Sequence, residues 1–232
     1  MHKSRVEAFS DGVFAIVITL LILDVKFPAD KPLTLETLAG MVPHILSFVL
    51  SFVIVGVYWV AHHNMLHYIK AVDRQLLWLN LALLLIVVFI PFPSALLGLH
   101  PDNELAIALY GANLIATNAA GTALWFYATT RPHLAADYMT PELSWFVAKL
   151  HSAPIAVYAL AIVAAQWSVP AALVLFAAVP LFFIVPHAWI DRRLQGRLGQ
   201  GAVAGAGQPP SSLLPGRRGA AAEGRVPMTA FR

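Results

Sequence analysis

Arg5, Glu7, Ser10 and Asp11 stand together at the start of the first apolar stretch of this 232-residue chain. Charges beside a membrane are costly and ordinarily pair or face water, so these four residues are the first place where type and spacing could do chemistry. On an ideal helix, at about 100° per residue, Arg5, Phe9, Gly12, Ile16, Thr19, Leu20 and Leu23 share one face. Asp11 projects to nearly the opposite side. One stripe is therefore apolar with a single hydroxyl, and the acid has two roles open to it. It can cap the helix N-terminus, where a negative charge meets the positive end of the helix dipole. It can also enter a polar network inside the chain's own helix bundle.

Other candidates carry less. His63 and His67 lie i, i+4 on a helix, a spacing that suits two metal ligands, but no convincing third ligand accompanies them and His62 points elsewhere. No fixed metal site is expected. Asn113, Thr117 and Asn118 form a polar stripe whose ordinary use is hydrogen bonding between helices. Pro91 and Pro93 should bend the helix that holds them, which membrane helices tolerate when neighbours satisfy the freed carbonyls. The chain has no cysteine, which excludes disulfides, iron–sulfur clusters and thiolate catalysis.

The elements that hold these residues are membrane helices. Hydrophobic residues make up 59% of the chain and charged residues 12%, against about a quarter in a soluble domain. Six stretches reach the ~20 apolar residues that a span requires: 6–26, 42–62, 76–99, 104–129, 147–167 and 169–190. The fold expected is all-α, an integral membrane bundle of six transmembrane helices. Trp167-Ser-Val-Pro170 separates the last two, with the proline in a first turn, where its missing N–H costs nothing. The first run ends in Asp24, Lys26 and Pro28, not in a small-residue cleavage site, and reads as a retained helix. Trp59, Trp78, Trp167 and Trp189 fall near span ends, as in an interfacial belt.

With six spans, every Lys and Arg except Lys26 and Lys31 falls on the side that holds both termini, so both termini are expected to be cytoplasmic, in a cell membrane. The net charge of +3 reflects these loops and the basic tail, and no nucleic-acid partner is expected. Residues 1–194 form the membrane domain. Residues 195–232, rich in Gly, Ala, Pro and Arg, read as a disordered cytoplasmic tail.

Arg5-Val-Glu-Ala-Phe9-Ser10-Asp11 resembles the R-x-x-x-F-S-D signature of the transmembrane protein 175 family of potassium channels. The likeness continues through Gly12 to Ile16 and Leu23 to Val25. It returns in Tyr58-Trp59-Val-Ala-His62-His63-Asn64, and again from Asn80 to Leu84 and Phe89 to Ser94. It covers the first three helices; the last three are similar only in number, length and hydrophobicity. The resemblance implies a homotetramer in the lipid bilayer, with the first helix of each subunit lining a central pore. It implies a narrowest ring at Ile16, a hydroxyl ring at Thr19, and further apolar rings at Leu20 and Leu23. It gives Arg5, Phe9, Ser10 and Asp11 a supporting role, with Trp59, His62, His63 and Asn80 as partners in a network.

Such a pore would work by dehydration. No T-V-G-Y-G loop is present, so the carbonyl filter of other potassium channels is absent, and a hydrophobic constriction gates by dewetting. Potassium holds its water less tightly than sodium and passes at lower cost, with Thr19 hydroxyls replacing part of the shell. The expectation is a leak-type cation channel with modest potassium preference. It needs no cofactor, and the permeating ion would sit transiently near Ile16 and Thr19. The alternative is a secondary transporter or proton pathway, for which internal repeats and broken helices around a midplane site are usual; no second copy of the first-helix pattern occurs in 104–190. A membrane enzyme would need clustered histidines, and the nine here are scattered. A scaffold protein leaves no distinguishing mark in the sequence.

Overall fold

The computed structural model describes residues 2–184, and among them the fold is all helical. The proposed tail at 195–232 and the end of the last expected span lie outside the described residues. Helix α1 (Lys3–Leu20) tightens into a 3-10 turn at Leu21–Asp24. A short α2 (Leu35–Gly40) leads into α3 (Val42–His67). Helices α4 (Arg74–Val88) and α5 (Pro91–Leu99) follow, then α6 (Glu104–Thr129), α7 (Pro141–Ala164) and α8 (Val169–Ile184).

Helix starts are written in side chains. Thr34, Asp73, Asn103 and Thr140 each accept a hydrogen bond from a backbone N–H of the first turn they precede. That satisfies a donor with no partner inside the helix. The stretch expected as one span at 76–99 divides at Phe89–Ile90. Pro91 has no N–H to give to Val87, and the Ile90 N–H takes that carbonyl instead at 3.0 Å. The Asn113 amide of α6 donates to the Ile86 carbonyl at 3.2 Å, so a neighbouring helix repairs the break.

Among the described residues, four segments are long and apolar enough to cross a membrane: Lys3–Asp24, Val42–His67, Arg74–Leu99 and Pro141–Ala164. Helix α6 matches them in length with 26 residues, but Asn113, Thr117, Asn118 and Thr122 lower its apolar character. Large apolar side chains such as Leu85, Val174 and Phe182 face outward, two-thirds or more exposed. A water-soluble surface does not carry such density. This is a multi-pass membrane protein.

Two packed centres hold the bundle. In one, Phe14, Val17 and Leu21 of the first segment meet Val55 and Met65 of α3, Leu83 and Val87 of α4, and Trp125 of α6. In the other, Tyr110 and Leu114 of α6 meet Tyr158 of α7 and Phe176 of α8. The Tyr158 and Phe176 rings stand 5.8 Å apart, so α7 and α8 fold back on each other as two separate helices. In lipid there is little hydrophobic drive between helices, and close packing and polar contacts bind them instead. Ser51 of α3 supplies one such seam, lying 2.7 Å from the Ser94 hydroxyl and 2.9 Å from that of Tyr110. At one end, the 68–70 and 134–136 segments are stitched by the Lys70 N–H to Leu134 carbonyl and Ala136 N–H to Tyr68 carbonyl bonds. A Lys70–Asp137 ion pair lies beside them.

Candidate functional site

Helix α1 has two unlike faces. Val6, Ser10, Phe14 and Val17 are buried against α3 and α4. Arg5, Phe9, Gly12, Ile16, Thr19, Leu20 and Leu23 are exposed, all on the stripe expected from helical spacing. Ile16 is 59% exposed and Phe14, two residues earlier, 1%. The Thr19 hydroxyl donates to the Ile16 carbonyl at 2.8 Å. That bond uses its one proton and leaves its oxygen lone pairs on the exposed stripe. Past Leu20 the tighter turn alters the spacing, and Ile22 joins Leu23 on the surface, which a uniform helix did not suggest.

Behind the stripe lies a polar chain. Asn80 of α4 donates through Nδ2 to the Ser10 hydroxyl of α1 at 3.0 Å, and its Oδ1 lies 2.7 Å from Nε2 of His62 on α3. Ser10, Asn80 and His62 are all buried. Three helices are thus joined through one amide. The Phe14 ring packs on the His62 imidazole with centroids 5.5 Å apart, a contact that the spacing of polar residues alone did not indicate. Beside this chain, Trp59 of α3 donates its indole N–H to Asp11 Oδ1 at 2.9 Å.

The structure thus brings together Ser10, Asp11, Trp59, His62 and Asn80. It places Arg5 and His63 elsewhere. Arg5 shares the outward stripe with Phe9 and Ile16, and the same spacing that sets it there turns it from Ser10 and Asp11. It makes no ion pair among the described residues, whereas Lys3 and Glu7 pair at 3.4 Å. His63 is exposed between the rings of Trp59 and His67, 6.1 and 4.6 Å away. No group of three or more His, Asp or Glu side chains that could hold a metal occurs among the described residues.

Comparison with known proteins bears on the same segment. The family described as endosomal/lysosomal potassium channel TMEM175 matches residues 5–91, which run from Arg5 of the stripe to the break at Pro91. A potassium channel of Streptomyces collinus is 45% identical over 139 residues, covering 57% of this chain and 68% of the relative. A potassium channel of Chamaesiphon minutus is 37% identical over 143 residues, covering 59% and 70%. The endosomal/lysosomal proton channel TMEM175 of Homo sapiens is 31% identical over 165 residues, covering 65% of this chain but 32% of the human protein. Among solved structures, a lysosomal potassium-selective channel TMEM175 homolog from Chamaesiphon minutus superposes with a TM-score of 0.69 at 31% identity, over 78% of this chain and 95% of that one. With an anchored, two-faced first helix and relatives this similar over two-thirds of their own length, the chain belongs to the TMEM175 family of potassium channels.

Proposed function

We propose that this protein is a potassium-permeable, leak-type cation channel, built as a homotetramer around α1. The observation that carries the reading is the division of α1 into a back packed on its own chain and tied through Asp11 to Trp59 and through Ser10 to Asn80, and a mainly apolar front left uncovered in a single subunit. A symmetric assembly would turn four such fronts toward one axis. Ile16 would make the constriction, Thr19 a ring of hydroxyl oxygens one turn on, and Leu20 and Leu23 further apolar rings. The names of the Streptomyces and Chamaesiphon relatives support potassium as the ion.

In this reading the chain crosses the membrane six times. The Arg74–Leu99 segment counts as one broken span, α6 spans because 26 residues reach about 39 Å, and α8 completes the set. Both termini then lie in the cytoplasm, with the basic loops. Passage through Ile16 would be governed by dewetting, which favours the ion that sheds water more cheaply and gives modest selectivity.

The test is ion flux into liposomes that contain the purified protein, driven by a potassium and then a sodium gradient, with Ile16→Asn in parallel. The expected result is potassium flux above sodium flux, with more total flux and less discrimination in the variant. Unchanged currents in Ile16→Asn would remove this residue from the pore. A second reading, proton conduction, is favoured by the name of the vertebrate relatives, proton channel. A pH gradient across the same liposomes, read with a pH dye inside, separates the two.

A further inference from the structure

Behind the polar chain lies a partly open, mainly apolar cavity of about 60 Å³. Phe14 of α1, His62 of α3, Leu83 and Val87 of α4, Thr117 and Asn118 of α6, and His151 of α7 contribute to its lining. Thr117 and Asn118 already donate to carbonyls of their own helix, at 2.9 and 2.8 Å, so what they still present is acceptor oxygen.

His62 is 4% exposed, and its Nδ1 atom has no hydrogen-bond partner in the protein. The chain of bonds fixes what this atom is. Asn80 spends its Nδ2 on Ser10, so its Oδ1 faces His62 and must accept from Nε2–H. Neutral imidazole carries one proton, so Nδ1 is a bare acceptor. Were the Asn80 amide turned over, Nδ1 would carry the proton and be a donor instead; in either arrangement it needs a partner. Buried polar atoms left without one are rare.

We propose that this cavity is a water-binding site, in which ordered water bridges His62 Nδ1 to the polar groups of α6 and α7. The volume leaves room for water, and His62, Thr117, Asn118 and His151 can together supply the two to four polar partners that one buried water requires. Water satisfies the donor and the acceptor form of Nδ1 alike. The bridge would extend the Ser10–Asn80–His62 chain across the bundle, so that α1 is tied through His62 to Thr117, Asn118 and His151 as well as to α3 and α4. The inference does not depend on which ion the channel carries.

Gly121 is the lever for the test. It lines the cavity, and a Cβ built on it meets nothing within 4 Å. Gly121→Val therefore fills space that water would occupy, and Gly121→Ala controls for the gain in helix propensity. In the full-length protein in nanodiscs, a hydrated cavity predicts that Gly121→Val melts roughly 2–4 °C below Gly121→Ala, because the displaced water leaves Nδ1 without a partner. A dry cavity predicts the opposite order. The second measurement uses the unmodified protein and survives a variant that fails to fold. With ¹⁵N-labelled histidine, His62 Nδ1 should resonate at a hydrogen-bonded position and show a cross-peak to water, assigned by its loss in His62→Gln. An unbonded Nδ1 shift with no water cross-peak overturns the proposal, and this result decides if the melting order disagrees with it.

Discussion

Trp59 on α3 gives its indole N–H to the carboxylate of Asp11 on α1 across 2.9 Å, while Ile16, five positions along, faces outward. Five helical steps turn a side chain by about 140°, so one helix can offer an acid to its own subunit and an apolar front to something else. The finding separates anchoring from lining. Side chains that hold α1 in place need not be those past which an ion would move.

Removing the donor should loosen the anchor. Trp59→Phe is expected to cost about 1 kcal/mol, the net worth of one hydrogen bond at a half-exposed site. Asp11→Asn keeps an acceptor oxygen and should cost less than Asp11→Ala. Thermal unfolding in detergent ranks the three. If Asp11→Asn falls as far as Asp11→Ala, the charge and not the bond holds the helix.

Asn80 should be the most sensitive of the polar residues. It alone joins Ser10 to His62, and Asn80→Ala leaves two buried polar groups without it. The expected loss is about 2 kcal/mol, larger than for Ser10→Ala, which removes one bond and one partner. The double variant Ser10→Ala, Asn80→Ala should lose less than the two single losses added together, since both remove the same bond. Strict additivity would place the two residues in separate interactions.

Much of this was legible in the sequence, and the reasons are particular. The stripe from Arg5 to Leu23 followed from helical spacing, because a regular helix transmits register over several turns. The opposed directions of Asp11 and Ile16 followed in the same way. What spacing could not supply was tertiary. That His62 rather than its neighbour His63 meets Asn80 depends on how α3 is rotated against α4. That Arg5 stands outside the network follows from its own place on the stripe, which competes with a role beside Asp11. The break at Phe89–Ile90 was announced by Pro91, but its repair by Asn113 links residues 27 apart along the chain. Pore lining, as proposed, would be a property of several subunits and lies beyond any single chain's register.

Thr19 offers a test of chemistry at constant shape. Its proton is committed to the Ile16 carbonyl, so only lone pairs are available to a passing cation. Thr19→Val removes them and keeps the branched outline. If α1 lines the pore, potassium flux should fall in Thr19→Val and be largely retained in Thr19→Ser. Equal flux in all three proteins would leave the hydroxyl without a part in conduction.

Gly111 of α6 packs directly against Ile162 of α7 and Phe176 of α8. A Cβ there would lie 2.6 Å from Ile162 Cγ1 and 3.1 Å from Phe176 Cζ, whereas at Gly56 nothing lies within 4 Å. Gly111→Ala should therefore destabilise by about 1–3 kcal/mol through overpacking. Gly56→Ala should be neutral or stabilising by up to about 1 kcal/mol. Ile162→Ala in the same chain should recover part of the Gly111→Ala loss. Both glycine variants melting alike would mean that α7 and α8 yield freely.

Asp73 sets a dependence on acid. Its Oδ1 accepts from the Leu76 N–H at 2.7 Å, capping α4, and its Oδ2 accepts from the Tyr127 hydroxyl at 2.7 Å. His133 lies 3.8 Å away. Desolvation works against the charged form, but the Leu76 and Tyr127 bonds and the nearby His133 and Arg131 outweigh it, and the carboxyl is held below its ordinary value of 3.8. A depressed carboxyl favours the folded state while ionised. Its contribution is complete at pH above that ordinary value and fades as pH falls through the folded one. At neutral pH, Asp73→Asn keeps a capping oxygen and loses the charge, so it should melt lower by an amount equivalent to roughly 0.3–1 kcal/mol. The gap between the two proteins should close as the medium is acidified through the carboxylate range, because the unmodified side chain then becomes neutral as well. A gap that stays constant to the acid end of that range would show that shape at the helix cap, and not charge, is what Asp73 contributes.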